Sequence, residues 1–292
     1  MRYVLPLALM ALFVLSSPAS AEDSATAVHK PQLYDYNGAP VDPLCFLSNV
    51  GTEDAPVYPT RFCQYEEIVN VGQSGLDESK FVAVSFEEAF YDPETDESIS
   101  SFGFIGYRAI GMVEHEGRDL MAVIVVENGG GSGTFTELML LDPVRDEEEK
   151  TLNYRHVETL ATGDRCMGGV FDATIDPENK DLIYRVKTTM ADMFLFTGDT
   201  EREILKSDAY ESLPYCAICC YAEAEFSLED FRGVFFPQDR HTPTDGSEAA
   251  QCVEDLVDLN VTQAKQSYFG KEDFGFFIRE LEHTCLGRME GE

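Results

Sequence analysis

Cations are what this chain has least of: 21 Lys and Arg stand against 54 Asp and Glu in 292 residues, a formal charge of −33 at pH 7. Nucleic acids and anionic membrane surfaces recruit proteins through clustered Lys and Arg, so this balance excludes both as electrostatic partners. It favours a basic protein or a cationic ligand. After Leu15 no apolar run approaches the ~20 residues of a spanning helix, so no membrane span is expected. Tryptophan is absent, which excludes no fold class but leaves 20 Phe and 13 Tyr as the aromatic filling of any core. Metal-ligand spacing is missing too. The histidines, at 29, 115, 156, 241 and 283, form no ligand pair, and no CxxH or second CxxC completes a zinc site. No metal and no cofactor is expected from these patterns.

The first residues carry an export signal. Arg2 is basic, Val4 to Leu15 is apolar, and Ala19-Ser20-Ala21 gives a small-x-small cleavage site before Glu22. Residues 1–21 are read as a cleaved signal peptide, which places the protein in the periplasm or outside the cell. The remaining chain keeps 20 basic against 54 acidic residues, a formal −34. Such acidity also keeps an exported protein soluble.

Eight cysteines follow the signal: Cys45, Cys63, Cys166, Cys216, Cys219, Cys220, Cys252 and Cys285. In an oxidising compartment they predict four disulfides, among 105 connectivities. Helical geometry selects one of them. Apolar positions at Ala249, Cys252, Val253, Leu256 and Leu259 predict a helix capped by Asp245, and Phe274, Phe277, Ile278, Leu281 and Cys285 predict a second, closed by Gly287. With a turn at Phe269-Gly270, Cys252 and Cys285 lie at equal height, about 24 Å from it. Packed helices about 8–10 Å apart leave facing Cα atoms about 4–5.5 Å apart, within disulfide reach. A Cys252–Cys285 staple across a helical hairpin is therefore expected. Adjacent Cys219 and Cys220 are poorly placed to bond each other, so each clustered cysteine is expected to reach one of Cys45, Cys63 and Cys166. Cys216 to Cys219 has thiol-oxidoreductase spacing but lacks a βαβ setting.

Between Lys80 and Thr189 six segments rich in β-branched and aromatic residues alternate with turn signals. They are Phe81–Phe86, Phe104–Tyr107, Leu120–Val126, Phe135–Leu141, Tyr154–Leu160 and Leu182–Val186; Asp92–Asp96, Glu116-Gly117, Asp142-Pro143 and Asp176–Asn179 separate four of the pairs. Short connections make neighbouring strands antiparallel. Thr188–Phe196 resembles a short capped helix. The fold expected is α+β, mainly β: an antiparallel meander forming a sandwich or open barrel, with a C-terminal disulfide-stapled α-helical hairpin. Its divisions are 1–21 signal, 22–80 irregular segment tied down by disulfides, 81–240 β domain and 241–292 hairpin.

Two segments invite a functional reading. Glu127-Asn-Gly-Gly-Gly-Ser-Gly-Thr134 lacks the Lys and following helix of a phosphate loop, and fits a bent hairpin loop. Ser132 with His156 and Asp164 would make a hydrolase triad, although the G-x-S-x-G setting is incomplete. Gly163-Asp-Arg-Cys-Met-Gly-Gly169 reads as a tight turn; at the same sheet end as the glycine loop, it would frame a pocket from Glu127, Asn128, Gly130, Ser132, Asp164 and Arg165. Asp92, Glu94, Asp96 and Ser98 alternate like a calcium loop, but Glu97 and Gly103 occupy its required Gly and Glu positions. The leading expectation is a non-catalytic binding or inhibitory protein for a basic partner; the alternatives are a Ser132 hydrolase and a cation-binding structural protein.

Overall fold

The computed structural model describes residues 33–47, 50–52, 55–60, 81–92, 97–198, 202–241 and 247–287. The signal (1–21), Cys63, Glu94, Asp96 and the expected cap Asp245 lie outside the described residues. Strands β1 (Val50–Thr52), β2 (Ala55–Tyr58), β3 (Val82–Asp92), β4 (Glu97–His115), β5 (Arg118–Asn128), β6 (Phe135–Asp146) and β7 (Thr151–Asp164) build one sheet. A second holds β8 (Val170–Ile175), β9 (Leu182–Thr188), β10 (Ala222–Ser227), β11 (Phe231–Phe235) and β12 (Tyr268–Gly270). The orders are β1-β2-β7-β6-β5-β4-β3 and β12-β11-β10-β9-β8, with every described pairing antiparallel. The larger sheet curls into a half-barrel.

Five of the six expected strands lie inside observed ones and the sixth, Phe81–Phe86, overlaps β3 from Val82 onward, and hydrophobic pattern explains where the core sits. Leu120, Ala122, Ile124 and Val126 of β5 join one cluster, shared with the second sheet and the C-terminal helices, whereas Val123 and Val125 join another. A strand buried on both faces reads as a continuous apolar run, as Leu120 to Val126 does. The second cluster is covered by Leu33, Val41, Cys45 and Phe46 of the N-terminal segment. Tyr107 fixes that cover by donating its hydroxyl to the Val41 carbonyl at 2.9 Å. Burial pushes the Tyr107 hydroxyl pKa far up, so this donor stays protonated.

Local chemistry sets the boundaries. Glu116 and Gly117, both at positive φ, make a two-residue hairpin closing His115 onto Arg118. Asp142-Pro143, expected as a turn, continues β6 instead. The β5 partner ends at Met121 opposite Leu141, so Pro143 falls where β6 pairs with β7 alone and its missing N–H costs no ladder bond. Residues 22–80 are not wholly irregular, because β1 and β2 extend the sheet beside β7. Thr188–Phe196 yields a 3-10 helix, Asp192–Thr197, whose first amide donates to Thr189 Oγ1.

Among the described residues three α-helices follow: α1 (Asp208–Glu211), α2 (Glu248–Asp258) and α3 (Lys271–Leu281). Ser247, rather than Asp245, caps α2 by accepting the Ala250 N–H. Phe269-Gly270, expected as a turn, is strand β12, paired through Phe269 and Gly270 with Val234 and Gly233. It docks the hairpin on the sheet. Buried Arg240 bonds Glu254 of α2 at 2.7 Å, fixing the helix from the other side. The Cys252–Cys285 staple is present, with Cα atoms 5.5 Å apart.

The cysteine cluster departs from expectation. Cys220 does reach distant Cys166, but Cys216 and Cys219 bond each other. The three-way hub therefore does not form: the backbone turns at Cys216, where the Cys219 N–H donates to its carbonyl, and the two sulfurs meet across that turn. Cys45 is disulfide-bonded, to a partner outside the described residues.

Candidate functional site

The glycine loop and the Gly163–Gly169 turn sit at one end of the large sheet because Phe135, which opens β6, pairs with both Glu127 and Asp164. Asn128 shapes the loop: its Nδ2 donates to the Gly133 and Gly131 carbonyls, and its Oδ1 accepts the Gly130 N–H at 2.8 Å. Gly130 has φ +90°, which its missing Cβ permits. Asp164 joins loop to turn by accepting the Thr134 N–H at 2.9 Å and two bonds from Arg165, at 2.9 and 3.2 Å. Burial raises its pKa, but the Arg165 bond, the Thr134 amide and the Arg165 charge together hold the carboxyl below its ordinary value.

The turn is tight enough to require glycine. A Cβ on Gly163 would lie 2.0 Å from the Met167 carbonyl oxygen, and one on Gly169 would lie 2.4 Å from that of Arg165. Backbone bonds then tie the turn to β9, from Gly168 N–H to the Lys187 carbonyl and from Lys187 N–H to that of Gly169, each 3.0 Å. Cys166 carries the bridge to Cys220 and donates its N–H to Ala217.

These elements enclose a pocket of about 340 Å³. Its polar walls are Arg165, Lys187, Thr134 and Thr136; its apolar walls include Val170, Phe171 and Ile218, with the Cys166–Cys220 bridge between. Arg165 spends Nε and Nη2 on Asp164 and shows no bond from Nη1 among the described residues. Lys187 forms no ion pair among the described residues; its ammonium lies 5.5 Å from the Phe171 ring centre. It also faces Glu223 across the ladder. Burial lifts the Glu223 pKa, and Lys187 and Arg185 restrain the rise. The Thr136 hydroxyl is sealed from solvent with no hydrogen-bond partner among the described residues.

Of the residues expected at a site, the sheet brings Glu127, Asn128, Gly130, Ser132, Asp164 and Arg165 to one end, yet only Arg165 lines the pocket. Asn128 and Asp164 hold the loop and turn, and Ser132 is exposed at the loop tip. His156 is elsewhere. It pairs with Leu141, six positions along β6 from Phe135, the partner of Asp164, a distance of about 20 Å at the rise of a strand. There its Nε2 meets Thr159 Oγ1, which donates to Glu137. Ser132, His156 and Asp164 thus do not converge into a relay, because strand register separates the histidine from the other two.

Lys187, Thr134, Thr136 and Ile218 were missed by sequence reasoning. Thr134 and Thr136 continue from the glycine loop and give a weak signal; Lys187 and Ile218 are brought in by the β8–β9 pairing and the disulfide. A second cavity, about 410 Å³, lies by Phe196, Phe231 and Phe276. Its cations are engaged: Lys271 bonds Asp230, and Arg279 stacks 4.7 Å over Phe276. No known family, curated protein or solved structure matches the chain.

Proposed function

We propose that this chain is an exported, disulfide-locked, non-catalytic binding protein whose ligand enters the pocket between Arg165 and Lys187. The observation that carries this reading is two cations, one without an ion pair among the described residues, lining a pocket in a chain with 33 excess negative charges. A lysine with no ion pair among the described residues, beside an arginine that keeps Nη1 unbonded among them, suits an anion. The ligand chemistry is then a small organic anion: an acidic group between Arg165 and Lys187, and an apolar body against Phe171, Val170 and Ile218. Disulfide anchoring supports a preformed site, which lowers the ordering cost of binding.

Thermal unfolding with benzoate, benzenesulfonate and phenyl phosphate at fixed ionic strength tests it. A ligand at a hundredfold excess over its Kd adds about 2.7 kcal/mol to stability. At least one probe should raise Tm, and Lys187→Gln should remove the rise. No response to any of the three, or an undiminished response in the variant, rejects the seat. The expected cationic partner does not suit this pocket; the net charge favours its contact with the acidic surface beyond it, which salt-sensitive capture of a basic protein would test.

A further inference from the structure

Cys216–Cys219 spans three residues of sequence, against 54 for Cys166–Cys220 and 33 for Cys252–Cys285. The constraint a bridge places on the unfolded chain grows with the logarithm of its loop, so this bond contributes least to holding the fold. Its turn is closed without it, by the Cys219 N–H on the Cys216 carbonyl at 3.0 Å. The flanks are anchored independently. Ala191 N–H donates to the Pro214 carbonyl, Cys166 N–H to that of Ala217 and His241 N–H to that of Cys220, and the Cys166–Cys220 bridge lies immediately beyond. Opening the bond would leave the segment in place.

Access to the two sulfurs is unequal. Cys219 is buried, whereas Cys216 is partly exposed, in a turn whose Tyr215 and Ile218 side chains are 58% and 71% exposed. We propose that Cys216–Cys219 is a thiol-exchanging disulfide that oxidises an external dithiol, with the Cys216 sulfur as the point of attack. One thiolate of the dithiol attacks Cys216 Sγ, and the electron pair of the broken S–S bond leaves on Cys219 Sγ, which takes a proton from water. The second thiolate of the same molecule attacks its own sulfur in the mixed disulfide, expelling Cys216 Sγ, which is protonated in turn. Two electrons pass from dithiol to protein, and the two protons the dithiol releases balance the two gained by Cys216 and Cys219. The proposal is independent of any ligand in the neighbouring pocket.

Titrating the folded protein with dithiothreitol, quenching with iodoacetamide and mapping the peptides tests it without a variant. Cys216 and Cys219 should be alkylated at dithiothreitol concentrations at least about tenfold below those that label Cys166, Cys220, Cys252 and Cys285, with the far-UV circular dichroism unchanged. Opening together with the other bridges, or only after unfolding, overturns the proposal. In a second arm, the free Cys216 of Cys219→Ser should form a mixed disulfide with oxidised glutathione about tenfold faster than the free Cys219 of Cys216→Ser. Equal rates refute Cys216 as the point of attack.

Discussion

Replacing Cys252 and Cys285 together by alanine should cost this fold about twice what replacing Cys216 and Cys219 does. The first bridge spans 33 residues and the second three, and neither loop contains another cysteine. Loop-closure entropy then gives about 4 kcal/mol for the hairpin staple and about 2 kcal/mol for the turn bridge. For a chain of this size each kcal/mol moves Tm by roughly 2–4 °C, so the shifts are about 8–16 °C and about 4–8 °C. Alanine leaves no free thiol to reshuffle, and calorimetry at several scan rates separates equilibrium from kinetic effects. Equal shifts would refute the loop-length reasoning. No shift for the hairpin pair would mean that burial of Val253, Ile278 and Leu281 holds the helices with no help from the bond.

Three further outcomes follow from burial and charge. Phe274→Ala removes a fully buried ring packed 5.6 Å from Phe231 and should cost about 3–5 kcal/mol by denaturant titration; a loss under about 1 kcal/mol would contradict its place in the core. Thr136→Val deletes a buried hydroxyl that has no partner among the described residues while keeping the side-chain shape, so it should raise stability by about 1 kcal/mol; a loss would show that the hydroxyl is bonded. Asp164→Asn should lower Tm at pH 7, because a carboxyl with a depressed folded pKa stabilises above its unfolded value, near 3.9, and that stability is lost as pH falls through the folded one. Parent and variant should converge only once the pH has fallen below the folded pKa, itself under about 3.9, and a gap that persisted there would assign the effect to shape.

Where a residue's role depends on its immediate neighbours, the sequence was readable. The Leu120–Val126 run, the Glu116-Gly117 hairpin and the 3.6-residue spacing before Cys285 each carry their structure locally. Ala222–Ser227 and Phe231–Phe235 carry a weak signal because Ala, Glu and Gly have low strand propensity, even though Ala222-Glu-Ala-Glu-Phe-Ser227 alternates strictly, and pairing with β9 and β12 completes them. The site was half legible. Its framework, Asn128, Asp164 and the glycines, announces itself as turn chemistry, but its binding groups come from four separate segments. Nothing local marks Lys187 as different from any strand lysine. The CxxC spacing of Cys216 and Cys219 did mark a pair able to close, but spacing alone does not tell a closed turn from two long-range bridges, and the divergence of neighbouring Cys219 and Cys220 does not bear on a turn that folds back three residues.

The absence of tryptophan makes the central claim directly measurable. Ile218 lines the pocket and is 71% exposed, so Ile218→Trp installs a single reporter at its wall at little cost to the fold. Titrating this variant with benzoate at constant ionic strength, alone and combined with Lys187→Gln, reads occupancy of the pocket. A saturable emission change that Lys187→Gln abolishes is the predicted result; emission that follows ionic strength alone, or saturates equally without the Lys187 ammonium, contradicts an anion seat between Arg165 and Lys187.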